Sequence, residues 1–150
     1  MKLTTKGRYA VTAMLDISCY STGKPVTLAD IAARQAISLS YLEQLFAKLR
    51  RGGLVKSIRG PGGGYILKEL PSQISIADII RAVDEPIKTT SCDDEKGVGC
   101  KKSTRCITHH LWATMGDHIY TYLESINLGG LVEESRANGT APEFAIGNKE

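Results

Sequence analysis

The chain has no long apolar run. Nothing in its 150 residues approaches the ~18 consecutive apolar residues that a membrane-spanning helix needs. The amino-terminal MKLTTKGRYAV has no continuous apolar core and no small-residue cleavage site, so no secretory signal is expected. The expectation is a cytoplasmic protein with no membrane partner. Catalytic signatures are missing too. No Gly-Lys-Ser/Thr follows the glycine-rich stretch at 60–64, and no cofactor fingerprint or acid–base pair stands out, which argues against an enzyme. Cysteine is sparse, with four residues, and in a reducing compartment these point to metal or cluster ligation rather than disulfides. No Cys-x2-Cys knuckle is present, which disfavours a zinc ribbon.

What is present is ordinary in hydrophobic content and lopsided in charge. Residues 1–70 carry eleven Lys/Arg against four Asp/Glu, whereas residues 71–150 carry eight against twelve. A positive field concentrated on one half suits a polyanionic partner. At this length the chain is one domain, or one small domain with an appendage.

The basic half reads as helices. In 4–21, Tyr9, Ala10, Ala13, Met14 and Ile17 recur at helical spacing after Thr4 or Thr5, and Gly23 and Pro25 end the run. Cys19 falls inside that apolar pattern and reads as a small core residue. Lys2, Lys6 and Arg8 crowd the start, where cations oppose the helix dipole and a phosphate backbone would relieve the conflict. A short helix over 27–35 is capped by Thr27, with Leu28, Ile31 and Ala32 facing inward. After a brief break, a third helix over 39–51 is capped by Ser38 or Ser40, the first fitting the turn better. It buries Leu42, Leu45, Phe46 and Leu49 and ends on Lys48, Arg50, Arg51 and Gly52-Gly53. Two short helices joined by a tight turn form a helix-turn-helix.

Leu54–Ile58 alternates as a strand, 59–64 (RGPGGG) is a turn, and Tyr65–Leu67 is the return strand. This hairpin makes the unit a winged helix, with the backbone bare at its glycine-rich tip, Gly60 included, and the guanidinium of Arg59 at the base of the tip, suited to minor-groove insertion. Ser40, Tyr41, Glu43 and Gln44 lie on or near the exposed first turns of the recognition helix. Gln bonds adenine bidentately and Glu accepts from cytosine N4, so Glu43 would act as a filter against sites without cytosine. The competing reading pairs Glu43 with Ser40 in a capping box.

After Pro71, Ser75 caps a helix over 76–84, ended by Pro86. Cys92, Cys100, Cys106 and His109 follow as Cys-x7-Cys-x5-Cys-x2-His in a polar, glycine-containing loop. Three thiolates and an imidazole hold either zinc or an iron–sulfur cluster, and spacing does not decide between them; His110 competes with His109 at the helix start close to Cys106, whereas His118 lies inside the helix and reads as a face residue. From Ile107 the helical pattern resumes, with Leu111, Met115, Ile119, Tyr122 and Ile126 in an apolar stripe that Trp112 and Leu123 widen. A stripe ~30 Å long exceeds what a small domain needs and predicts a dimerisation helix. Leu128–Val132 reads as a short final turn, and the remainder as a disordered tail.

The expected architecture is mainly α with a small β-hairpin wing: a winged helix-turn-helix domain over 1–86, a ligand loop over 87–106, a long dimerisation helix over 107–132 and a tail over 133–150. Taken together, MKLTTKGRYAVTAMLD, ISLSYLEQLFAKLRRGGLV, IRGPGGGY and CITHHLW resemble the family of small dimeric winged-helix transcription regulators that use iron–sulfur clusters as sensors. The resemblance implies a 2Fe–2S cluster, one per subunit, held by Cys92, Cys100, Cys106 and His109 and received from the iron–sulfur assembly machinery. It implies a homodimer on a double-stranded DNA operator, repressing cluster-assembly genes when loaded and binding a second class of sites when cluster-free. It places DNA contacts on Ser40, Glu43, Gln44 and Arg59, with Glu43 rejecting the cluster-dependent sites in the apoprotein. The first cysteine interval is longer than the family pattern, and a loop absorbs that difference. The alternative is a zinc-stabilised winged-helix repressor with no sensing role.

Overall fold

A computed structural model describes residues 5–21, 23–84 and 107–139. Helix α1 (Thr5–Tyr20) buries Ala10, Ala13, Met14 and Ile17 along one stripe, as its spacing dictates. Cys19 is buried beside them, a core residue as expected.

Helix α2 (Leu28–Gln35) starts at Thr27, whose hydroxyl accepts the Asp30 amide at 3.1 Å. It stops at Ala36, which adopts a left-handed conformation (φ 54°) and donates its amide back to the Ala32 carbonyl. Ile37 then plugs into the core, and Ser38 caps α3 (Leu39–Arg51) by accepting the Tyr41 amide at 3.2 Å. Leu42, Leu45, Phe46 and Leu49 form the buried stripe of α3. At its end, a Cβ on Gly52 would lie 2.9 Å from the Cβ of Ala82, so only glycine permits this approach to the next helix.

Strands β1 (Val55–Ile58) and β2 (Gly64–Leu67) pair antiparallel, with Val55 opposite Leu67 and Ile58 opposite Gly64. Val26, just ahead of α2, bridges Tyr65 on the free edge of β2, so the wing is stitched to the helix-turn-helix. A 3-10 turn at Pro71–Gln73 leads to α4 (Ile76–Ala82), which opens with a full capping box between Ser75 and Asp78.

The long helix expected over 107–132 is in fact two. Helix α5 (His109–Ser125) ends at an extended Ile126, and α6 (Leu128–Ala137) begins at Asn127, whose side chain accepts the Gly130 amide at 2.8 Å. The break has a tertiary cause. The Ile126 carbonyl accepts the Ile76 amide at 2.9 Å and the Leu128 amide donates to Ile74 at 3.0 Å, a strand-like exchange that a continuous helix would forfeit. It drives Leu128, fully buried, into the core of the winged domain, with Ile126 and Leu123 packed against it. The carboxy-terminal segment therefore completes the winged core rather than standing apart from it. Residues 133–137, expected in the tail, belong to α6, while 140–150 lie outside the described residues. No helix among the described residues is long and apolar enough to cross a membrane.

Candidate nucleic-acid interface

The cap decides what α3 presents. Because Ser38 holds the Tyr41 amide, Ser40 is released from capping. Ser40, Glu43 and Gln44, at i, i+3 and i+4, share one exposed face of the first turns. The capping-box alternative for Glu43 fails on position, since the third residue after the cap is Tyr41. Glu43 has no cation partner among the described residues. Tyr41 is half-buried, its ring edge-on to Tyr9 with centroids 5.9 Å apart, and it braces α3 against α1. Arg50 and Arg51 continue the exposed side of the helix.

The wing follows from its glycines. Arg59 leaves β1 exposed, and Gly60 takes φ 100°, a conformation costly for a side-chain-bearing residue. The Gly63 amide donates to the Gly60 carbonyl at 2.9 Å and closes the turn. A Cβ on Gly63 would lie 2.3 Å from the Ile58 carbonyl oxygen, and one on Gly64 2.5 Å from that of Val26. Tyr65 fixes the wing to α3 and to the approach to α2: its backbone pairs with Val26 in both directions, and its ring meets Phe46 edge-on at 4.9 Å. The exposed Ser40–Glu43–Gln44 face and the wing are thus parts of one packed body.

Sequence reasoning missed the brace behind this body. Asp16, its side chain fully buried, accepts two hydrogen bonds from Arg34 and one from Gln35 at 2.8 Å. Arg34 also stacks over the Tyr20 ring, 3.9 Å from its centroid. Its guanidinium is held more firmly protonated than usual by the Asp16 hydrogen bond, against the opposing effect of burial. The signal was there to read: an acid set within the inward stripe of α1 between Leu15 and Ile17 needs a cation or donor.

Of the four predicted ligands, Cys92, Cys100 and Cys106 lie outside the described residues. His109 opens α5 and is partly exposed. Ile107 and Thr108 alone separate it from Cys106, a reach of at most about 10 Å, so the two side chains can serve one centre. Helix α4, ahead of the loop, is tied to the far end of α5. Arg81 of α4 pairs with Glu124 of α5, lies 3.7 Å from Asp78 and sits over the Tyr120 ring. Asp84, the last described residue before the loop, adopts φ 54°. Its carbonyl accepts from Lys6 at 3.4 Å and its carboxylate meets Lys48 of α3 at 3.6 Å. Asp84 therefore touches α3.

Helix α5 buries none of its residues, and Leu111, Trp112, Met115 and Tyr122 stand exposed along it. Within the described residues this is an exposed apolar stripe, at the spacing the sequence leads one to expect.

Comparison with known proteins agrees with this geometry. The family model Rrf2, described as an iron-dependent transcriptional regulator, matches residues 3–134. The chain is 53% identical over 135 residues to the HTH-type transcriptional regulator IscR of Aliivibrio salmonicida, covering 90% of this chain and 79% of that one. Among solved structures, IscR of T. potens superposes with a TM-score of 0.77 at 37% identity, covering 96% of this chain and 95% of that one. CymR, the global cysteine regulator of B. subtilis, superposes with a TM-score of 0.74 at 36% identity over 89% and 98% of the two chains.

Proposed function

The chain belongs to the Rrf2 family of iron-dependent transcriptional regulators, and from that premise we propose that it is a homodimeric, cytoplasmic regulator of iron–sulfur cluster assembly genes whose choice of operator depends on a bound 2Fe–2S cluster. It is a DNA-binding regulator rather than an enzyme, as its relatives are. The observation that carries the reading is the union, in one packed body, of the Ser40–Glu43–Gln44 face with a glycine wing bearing Arg59. Ser40 and Gln44 supply donors and acceptors to base edges, and Glu43 accepts only from a donor such as cytosine N4. Arg59 enters the minor groove from the wing, and the Gly60 backbone approaches the phosphates.

The donor set fits an iron–sulfur centre. Three thiolates from Cys92, Cys100 and Cys106 and the imidazole of His109 complete the four ligands that a 2Fe–2S cluster requires. When bound, the cluster supplies a redox- and oxygen-sensitive charge centre. His109 would supply a neutral imidazole where a fourth cysteine would supply a thiolate, a weaker ligand that suits a site that must release its cluster. Loop order would reach α3 through Asp84 and Lys48, and α5 through Arg81 and Glu124. Each subunit would receive one cluster from the assembly machinery.

The experiment is anaerobic purification followed by visible spectroscopy and duplex titration before and after cluster removal. A coloured protein with charge-transfer bands, whose apo form loses one class of duplex and keeps another, is expected. A colourless protein with stoichiometric zinc and unchanged duplex preference would establish the zinc-stabilised repressor instead.

A further inference from the structure

We propose that Leu39 is a specificity-determining residue of the interface, seated against the 5-methyl group of a thymine within two base pairs of the base that Glu43 meets. The inference rests on the duplex-binding reading above and adds to it a side chain that the polar readout leaves out.

Leu39 is the first residue of α3. The other leucines of that helix, Leu42, Leu45 and Leu49, are buried, whereas Leu39 is 44% exposed and belongs neither to the core nor to the side chains packed against it. A single exposed leucine on an ordinary surface carries little meaning. The position of this one is what gives it meaning. Residues four apart are neighbours on a helix, so Leu39 lies beside Glu43 on the flank of the reading face. Helical side chains lean toward the amino terminus, so Leu39 projects from the leading end of α3, the end that meets base edges in a helix-turn-helix. It contributes nothing to the cap, because the Ser38 hydroxyl already holds the Tyr41 amide.

The major groove offers one apolar feature to such a side chain, the thymine methyl. Four residues of helix span about 6 Å, less than two base-pair steps of about 3.4 Å each. Leu39 and Glu43 therefore read adjacent or next-adjacent pyrimidines by opposite chemistry: Glu43 requires the amino group of cytosine, and Leu39 favours the methyl of thymine. Cytosine at the Leu39 position lacks that methyl, so the two side chains would fix which pyrimidine stands where.

The test uses the full-length protein and duplexes that it selects from a random library. Each thymine of one half-site is replaced in turn by deoxyuridine, which removes a methyl and nothing else. One replacement, within two base pairs of the cytosine whose preference Glu43→Ala abolishes, is expected to weaken the wild-type protein about fourfold, as loss of one buried methyl implies. The same replacement leaves Leu39→Ala binding unchanged. If no replacement there weakens the wild type, or if it weakens Leu39→Ala equally, the assignment of Leu39 is overturned while duplex binding stands. A protein that selects no duplex overturns the interface itself.

Discussion

Arg34 grips Asp16 with two hydrogen bonds, Nε to Oδ2 at 3.0 Å and Nη2 to Oδ1 at 2.7 Å, across the seam between α1 and α2. The pair is asymmetric: the Asp16 side chain is fully buried, whereas that of Arg34 is 25% exposed. Removing Arg34 strands a buried carboxylate with Gln35 alone, but removing Asp16 lets Arg34 turn to water. Arg34→Met is therefore expected to cost about 3–5 kcal/mol, and Asp16→Ala less, about 1–3 kcal/mol. Urea unfolding of both variants checks the order; equal losses would mean that Arg34 is held by its Tyr20 stack rather than by the carboxylate.

That pair also marks where sequence reading stops. The caps at Thr27 and Ser38, the stripe of α3 and the wing glycines are legible because each signal acts within a few residues of its effect. Asp16 and Arg34 are eighteen residues apart, and only the packing of α1 on α2 brings them together. The break at Ile126 is hidden for the same reason: the apolar pattern continues through it, and the interruption comes from backbone pairing with Ile74 and Ile76. At the candidate site, the shared exposed face of Ser40, Glu43 and Gln44 is legible from helical spacing. The choice of iron–sulfur over zinc is not, since three thiols and an imidazole satisfy both, and family resemblance supplies it.

Burial pushes the Cys19 thiol above its ordinary value of 9.0, with nearby Arg136 opposing and Asp16 adding to the shift. The folded protein then holds its proton at pH values where the unfolded chain releases it, so stability is flat below about pH 9 and falls above it. Thermal melts of wild type and Cys19→Ala from pH 7 to 10.5 should diverge in slope above pH 9. Parallel curves would show that the thiol titrates alike in both states. At neutral pH the same burial should make Cys19 slow to alkylate.

The wing turn offers a paired comparison. A methyl on Gly63 would meet the Ile58 carbonyl at 2.3 Å, but one on Gly60 meets nothing within 4 Å and suffers only the strain of φ 100°. Gly63→Ala should therefore displace the turn and with it Arg59, lowering duplex affinity by roughly tenfold if it loses a wing contact worth about 1.4 kcal/mol. Gly60→Ala should cost about 1–3 kcal/mol of stability and less affinity. Equal affinity losses would place the Gly60 backbone, and not Arg59, at the nucleic acid.

The proposed dimer would place a second copy of the chain on the apolar stripe of α5. Leu111 is 57% and Tyr122 64% exposed, and the helix buries no residue of its own within the protomer. Leu111→Asp should yield a folded monomer by sedimentation, with binding to palindromic duplexes reduced to that of a half-site. Trp112, the one tryptophan, reports the change directly, its emission moving to the red as the stripe meets water. A Leu111→Asp protein that remains dimeric would place the partner surface elsewhere.

In the proposed role, Glu43 serves discrimination rather than affinity. An exposed carboxylate on the reading face repels phosphate unless a base donor meets it. Glu43→Ala should thus bind its best duplex about as well as wild type and bind others better, losing about 1–3 kcal/mol of preference for cytosine at the position it reads. The number of phosphate contacts is unchanged, so the dependence of affinity on salt should stay as it was. Arg59→Ala makes the contrast: it should weaken binding and shallow the salt dependence by about one counterion if Arg59 neutralises a phosphate, while leaving the cytosine preference in place. Titrations of both variants on duplexes with and without that cytosine, at two salt concentrations, separate the roles. A Glu43→Ala protein with an undiminished cytosine preference would remove the carboxylate from base reading and leave Ser40 and Gln44 to carry it.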